Sequence, residues 1–149
     1  MDLYLDTSFI VPLIIETDTT RKARDFYTSF SGTVATGMSV YEESFFVGLR
    51  LIARNEFGIV STTQLKNYIL ARGYGFADEF LRNLNEVFSG LEIISDTVNL
   101  PLVEEMARKY SLLPNDALIV ATCRENKIPR LATFDKDFVK VKSPVKVKV

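Results

Sequence analysis

The chain has 149 residues, 47% hydrophobic and 25% charged, with a net charge of −1, the profile of a globular protein long enough to bury a core. It contains no histidine and a single cysteine, Cys123. That excludes histidine-dependent nucleophile pairs, zinc sites built on imidazole or thiolates, and an internal disulfide. Chemistry is left to carboxylates, hydroxyls, lysines and arginines, and carboxylate oxygens suit magnesium or manganese.

No apolar run reaches the roughly 18–20 residues of a membrane span. The opening residues Met1-Asp2-Leu3-Tyr4-Leu5-Asp6 lack the basic and apolar regions of a secretion signal. A cytoplasmic protein without membrane partners is expected. No repeat, low-complexity tract or linker interrupts the chain, so one domain is expected over residues 1–149. Basic residues are grouped in Arg21-Lys22-Ala23-Arg24 and in the lysines from Lys136 to Lys148. Charge pattern alone fits a solvated helix face or a protected edge strand better than a nucleic-acid contact.

In chain order, Leu3-Tyr4-Leu5 reads as a strand running into Asp6-Thr7-Ser8, residue types that cap helices, and a helix to Ile15. A second helix covers Thr19 to Phe30. Thr33 to Thr36 reads as a strand, after which Ser39 caps a helix to about Arg54. Ser61 caps the next helix, which ends at Gly73-Tyr74-Gly75. From Phe76, the spacing of Phe80, Leu84, Val87 and Phe88 predicts another helix. Leu91 to Ile94 is a predicted strand, and Val98 to Tyr110 a helix with Pro101 in its first turn. A helix from Pro114 to Asn126, a strand over Leu131 to Phe134 and a helical turn from Asp135 follow. Val145 to Val149 alternates as an edge strand with its lysines towards solvent. Short apolar strands alternating with helices predict an α/β fold, a mainly parallel sheet covered on both faces. Ligands of such sheets bind beyond the carboxyl ends of the strands, near the topological switch point.

Four acids fall at that edge. Asp6 follows the first strand and Asp135 the strand ending at Phe134; Glu42 sits one turn into the helix after the Val34 strand, and Asp116 in the first turn of its helix. Each has a structural explanation of its own. Asp6 and Asp135 fit helix caps, Asp116 complements a helix dipole, and Ser39 with Glu42 has capping-box spacing. Together they form a cluster beside apolar segments, and clustered carboxylates repel one another unless a divalent cation relieves them. Adjacent strands lie about 4.8 Å apart, close enough for Asp6 and Asp135 to share an ion if their strands are neighbours.

Four segments, in order and spread over the chain, carry a resemblance: Leu5-Asp6-Thr7-Ser8, Thr36-Gly37-Met38-Ser39-Val40-Tyr41-Glu42, Asn115-Asp116-Ala117-Leu118-Ile119-Val120-Ala121-Thr122, and Leu131-Ala132-Thr133-Phe134-Asp135-Lys136-Asp137-Phe138. With these the chain resembles the PIN-domain family, most closely the small toxin nucleases of the VapBC type. The resemblance implies a three-layer α/β/α sandwich with about five strands and a magnesium- or manganese-dependent endoribonuclease. It implies Asp6, Glu42, Asp116 and Asp135 as the metal-holding acids, Ser8 and Thr133 as hydrogen-bonding supports, and Asp137 as an auxiliary acid. It also implies an RNA substrate, a homodimer and an antitoxin that silences the acidic cleft. The stretch from Ser61 to Ser89 matches no motif of the family.

Glu43 stands beside Glu42 as its alternative. At about 3.6 residues per turn, Glu42 shares a helix face with Phe45, Phe46, Leu49 and Ala53, whereas Glu43 lies with Val47, Arg50 and Arg54. The apolar stripe is expected to face inward and favours Glu42. Two other functions stay open: a receiver-like magnesium-binding signalling module, with Ile94-Ser95-Asp96 as its acceptor region, and a PIN-like protein without activity.

Overall fold

The computed structural model describes residues 1–149. The chain begins with β1 (Leu3–Leu5), α1 (Thr7–Ile14), α2 (Thr20–Ser29), β2 (Val34–Gly37), α3 (Met38–Phe57) and α4 (Thr62–Arg72). A 3-10 turn (Gly75–Ala77) leads into α5 (Asp78–Ser89), β3 (Glu92–Ile94), α6 (Leu100–Tyr110) and α7 (Pro114–Glu125). The chain closes with β4 (Arg130–Ala132), a second 3-10 turn (Lys136–Lys140) and β5 (Val145–Lys146). The strands form one five-stranded sheet in the order β3-β2-β1-β4-β5, and every pairing is parallel. The expected α/β architecture is therefore present.

Leu3, Tyr4 and Leu5 of β1 are all fully buried. Successive strand side chains point to opposite faces, so the central strand is covered on both sides. Its neighbours set the register: Tyr4 pairs with Ala35 on β2 and with Leu131 on β4. After β1 the chain builds β2 and β3 on one side, then returns to build β4 and β5 on the other. The switch point is the seam between β1 and β4, and at its carboxyl end the Asp6 N–H continues the ladder by donating to the Ala132 carbonyl at 3.1 Å.

One main core joins 25 residues from all layers, and a smaller cluster of Leu49, Ala53, Leu65 and Ala77 seats α4 and the first 3-10 turn on α3. Helix α5 packs on α3 at Gly48, where any Cβ would overlap the Phe80 ring. A glycine in mid-helix costs about 1 kcal/mol relative to alanine, and here it is what lets the aromatic ring lie against the helix backbone.

Two expectations shift. The strand predicted over Leu131 to Phe134 stops at Ala132, because Thr133 and Phe134 leave the ladder to bond with Asp6 and Ser8. The C-terminal strand is only Val145–Lys146, and its lysine is not on the wet face. Val145 is 54% exposed, while half-buried Lys146 donates its ammonium to the Asp135 carbonyl at 2.7 Å. The register that pairs Lys146 with Leu131 fixes which way each side chain points. A lysine pointing inward is tolerated because its stem packs while its head meets an acceptor.

Candidate active site

Asp6 is the N-cap of α1, with extended backbone at the end of β1 (φ −92°, ψ 163°). Its Oδ2 accepts the Ser8 hydroxyl at 2.8 Å, the Ser8 N–H at 3.3 Å and the Thr133 hydroxyl at 2.8 Å. Those hydroxyls are themselves oriented. Ser8 Oγ accepts the Phe134 N–H at 2.9 Å, and Thr133 Oγ1 accepts the Asp135 N–H at 3.0 Å. The two hydroxyls also lie 2.9 Å from each other, so Ser8, Thr133 and Asp6 form one hydrogen-bonded network. The carboxylate is only 5% exposed, and burial pushes its pKa up despite these hydrogen bonds.

Four further acids share with it a cleft of about 370 Å³: Glu43, Asp116 and Asp135, and Asp18, which with Thr17 comes from the α1–α2 connection. Asp116 comes from the first turn of α7, and Asp135 caps the second 3-10 turn, accepting the Asp137 N–H at 2.8 Å. Carboxylate oxygens of Asp116, Asp135 and Asp137 lie within 4.8 Å of one another. Desolvation, followed by repulsion from Asp6, Asp135, Glu43 and Asp137, pushes the Asp116 carboxyl up to about 6.

The glutamate of the cleft is Glu43, not Glu42. Its Oε2 accepts the Thr7 hydroxyl at 2.9 Å and the Asn115 side-chain N–H at 2.7 Å, and burial pushes its pKa up. Glu42 is exposed. The apolar-stripe argument holds for Leu49 and Ala53, which are buried, but the buried face of α3 runs on through Val40, Ser44 and Gly48, which leaves Glu42 outside it. Phe46, assigned to the inner face, is 38% exposed. Glu43 and Val47 border the buried face on the side that meets α1, and both line the cleft. The capping box is absent as well. The N-cap of α3 is Gly37, and Ser39 instead donates its N–H and hydroxyl to Asp96 at 3.0 and 2.9 Å. Asp96 is thereby committed to fastening the start of α3, which removes it as a receiver-type acceptor.

Ser8, Thr133 and Asp137 are thus brought to the acidic cluster. Thr7 and Asn115 were not singled out by sequence reasoning, yet they hold Glu43. Their only signal is adjacency to Asp6 and Asp116. Lys146, which reaches the Asp135 carbonyl, had no signal, since its alternating context points it the other way.

No basic side chain lines the cleft. Several carboxylates with raised pKa values and no cationic partner form a donor set of hard oxygens, and that set fits a divalent cation such as magnesium or manganese. Asp116, Asp135 and Asp137 bring their carboxylate oxygens close enough together to hold it, and Asp6 and Glu43 line the same cleft.

A sequence profile of the PIN domain matches residues 3–144. Ribonuclease VapC2 of Methanocaldococcus jannaschii is 35% identical over 91 residues, 57% of this chain and 58% of that protein. Ribonuclease VapC6 of the same organism is 57% identical over 42 residues, 28% of each chain. The matches therefore span less than two thirds of either relative. Among solved structures, a toxin–antitoxin complex from Klebsiella pneumoniae superposes with a TM-score of 0.65 at 19% identity, covering 99% of this chain and 97% of that one. Mycobacterium tuberculosis VapC20, described as a sarcin-ricin loop cleaving toxin, superposes at 0.62 with 14% identity over 97% and 98% of the two chains. At these identities the likeness is one of fold.

Proposed function

The chain belongs to the PIN domain family, and from that premise we propose that it is a metal-dependent endoribonuclease, the toxin of a toxin–antitoxin pair. The observation that carries the reading is the convergence of Asp6, Glu43, Asp116 and Asp135 on one cleft at the β1–β4 switch point, with no base to neutralise them. Ribonuclease relatives and VapBC-type structural neighbours support the substrate class and the antitoxin partner. A homodimer and a cytoplasmic location complete the reading; no helix is long and apolar enough to cross a membrane.

A bound magnesium or manganese ion supplies a water of lowered pKa and neutralises charge on the scissile phosphate. The protein's own residues do the positioning. Ser8 and Thr133 hold one oxygen of Asp6 by two hydroxyl bonds, which fixes the carboxylate where it lines the cleft. Thr7 and Asn115 hold one oxygen of Glu43 and leave the other for a ligand or a proton. Asp116, its carboxyl pushed up to about 6 by burial and the neighbouring acids, can exchange a proton near neutral pH when no cation is bound. Lys146 and the Asp137 N–H fix Asp135 from opposite ends, through its carbonyl and its carboxylate.

The test is cleavage of a single-stranded or loop RNA by purified protein in magnesium or manganese. Activity should stop with EDTA, and in Asp6→Asn and Asp116→Asn variants that remain folded. Wild-type rates in both variants would sink the reading.

A further inference from the structure

The acidic cleft does not end at the acids. Val47, one turn beyond Glu43 on α3, lines both that cleft and a second hollow of about 240 Å³ between the C-terminal half of α3 and α4. The floor of this groove is apolar, formed by Leu51, Ala53, Ile59, Val60 and Leu65, and its α3 wall carries Arg50 and Arg54. Glu43, Val47, Arg50 and Arg54 follow one another at intervals of three or four along α3. They make a single stripe on which the two arginines stand about 10 and 16 Å from the glutamate along the helix axis.

Both arginines are exposed, and neither has a carboxylate within 4.0 Å. Arg72, Arg82, Arg124 and Arg130 are likewise without an acid partner, and Arg50 and Arg54 differ from them in lining the groove beside the cleft. Arg50 lies with its guanidinium 5.7 Å from the centre of the Phe46 ring, within cation–π range. In a protein of net charge −1, two unpaired guanidinium groups on a path leading out of a carboxylate cleft are placed to receive a polyanion.

We propose that this groove is the track for one flank of the RNA strand, with Arg50 and Arg54 binding phosphates next to the one held at the acids and the apolar floor receiving sugar and base faces. The proposal rests on the ribonuclease reading for the identity of the polyanion. It adds which side of the cleft the strand leaves by and which residues hold it. An acidic peptide of a protein partner is the alternative occupant. RNA is favoured because the groove and the cleft adjoin at Val47, and because the two arginines follow Glu43 along one stripe of α3.

The test is single-stranded RNA binding by fluorescence anisotropy across a salt series, in an Asp116→Asn background with magnesium so that cleavage is stopped. It compares the parent, Arg50→Ala/Arg54→Ala, Arg50→Lys/Arg54→Lys, and Arg108→Ala as a remote control. Each lost phosphate contact removes about 0.7 from the slope of log K against log salt. The double alanine variant should therefore lose about 1.4 in slope and bind at least tenfold more weakly. The lysine pair should keep most of the slope, and the control all of it. In the otherwise wild-type enzyme, the alanine pair should raise KM at least tenfold while kcat stays within about twofold. Unchanged slope and KM in a folded double alanine variant would overturn the proposal and leave the groove to a protein partner. The two readings fail separately. A protein that binds RNA through these arginines but never cleaves it refutes the nuclease, and one that cleaves with normal KM in the alanine pair refutes the track.

Discussion

Thr133 donates its hydroxyl to Asp6 Oδ2 at 2.8 Å across the β1–β4 seam, while its own oxygen accepts the Asp135 N–H. One buried side chain thus ties together the two acids that end the two central strands. Thr133→Val keeps the shape and removes both bonds. Losing a hydrogen bond to a charged group costs about 1.5–3 kcal/mol, so the melting midpoint should fall by roughly 3–12 °C for a chain of this size. The Asp6 pKa should rise further, and calorimetry should show weaker manganese binding. An unchanged midpoint and affinity would mean that Ser8 alone positions Asp6.

Glu43→Gln and Glu42→Gln separate the two neighbouring glutamates. Glu43 lines the cleft and is held by Thr7 and Asn115, whereas Glu42 is exposed on another face of α3. Changes in groups that merely support metal ligands typically cost about 10–100-fold. Glu43→Gln should lower metal-dependent cleavage by at least that much, and Glu42→Gln by less than about twofold. Steady-state rates with a fluorogenic RNA measure both, and the opposite order would return Glu42 to the site.

Divalent ions should stabilise the fold. An ion that binds only the folded state adds about 2.7 kcal/mol at a hundred times its dissociation constant. Differential scanning fluorimetry in EDTA, and then in excess manganese, should show a rise of several degrees, abolished in Asp6→Asn/Asp116→Asn. Equal midpoints in both buffers for the wild-type protein would remove the metal site.

The acids also set a pH dependence. Asp6, Glu43 and Asp116 all have raised carboxyl pKa values in the folded state, Asp116 from 3.8 to about 6. The folded protein then holds more protons than the unfolded chain between those limits, so stability falls as pH rises through that window. In EDTA the melting midpoint should be higher at pH 5 than at pH 7, and excess manganese should abolish or reverse the difference. A midpoint that rises from pH 5 to pH 7 in EDTA would show that the acids are not crowded as described.

Much of the fold was legible in the residues themselves. Apolar runs such as Leu3-Tyr4-Leu5, alternating with helical spacing and cap residues such as Ser61, marked most elements to within a few positions, because local backbone preference and burial agree there. The strand ends also placed Asp6 and Asp135 at the carboxyl edge, since a parallel sheet leaves the residue after each strand at that rim. Three features lay outside that reach. Glu43 faces the cleft because Gly48 admits the Phe80 ring and fixes the rotation of α3, a packing choice invisible to a count of apolar residues along the helix. Ser39 has the spacing of a cap but bonds to Asp96, 57 residues away, because the sheet brings the end of β3 beside the start of α3. Lys146 reads as a solvent-facing edge residue, yet pairing with β4 turns it towards the Asp135 carbonyl. Sequence by itself determined the elements, their order and the acidic chemistry, which follow from local preference and side-chain type. Which glutamate and which lysine meet at the site was decided by tertiary packing, because helix rotation and strand register depend on contacts between residues distant along the chain.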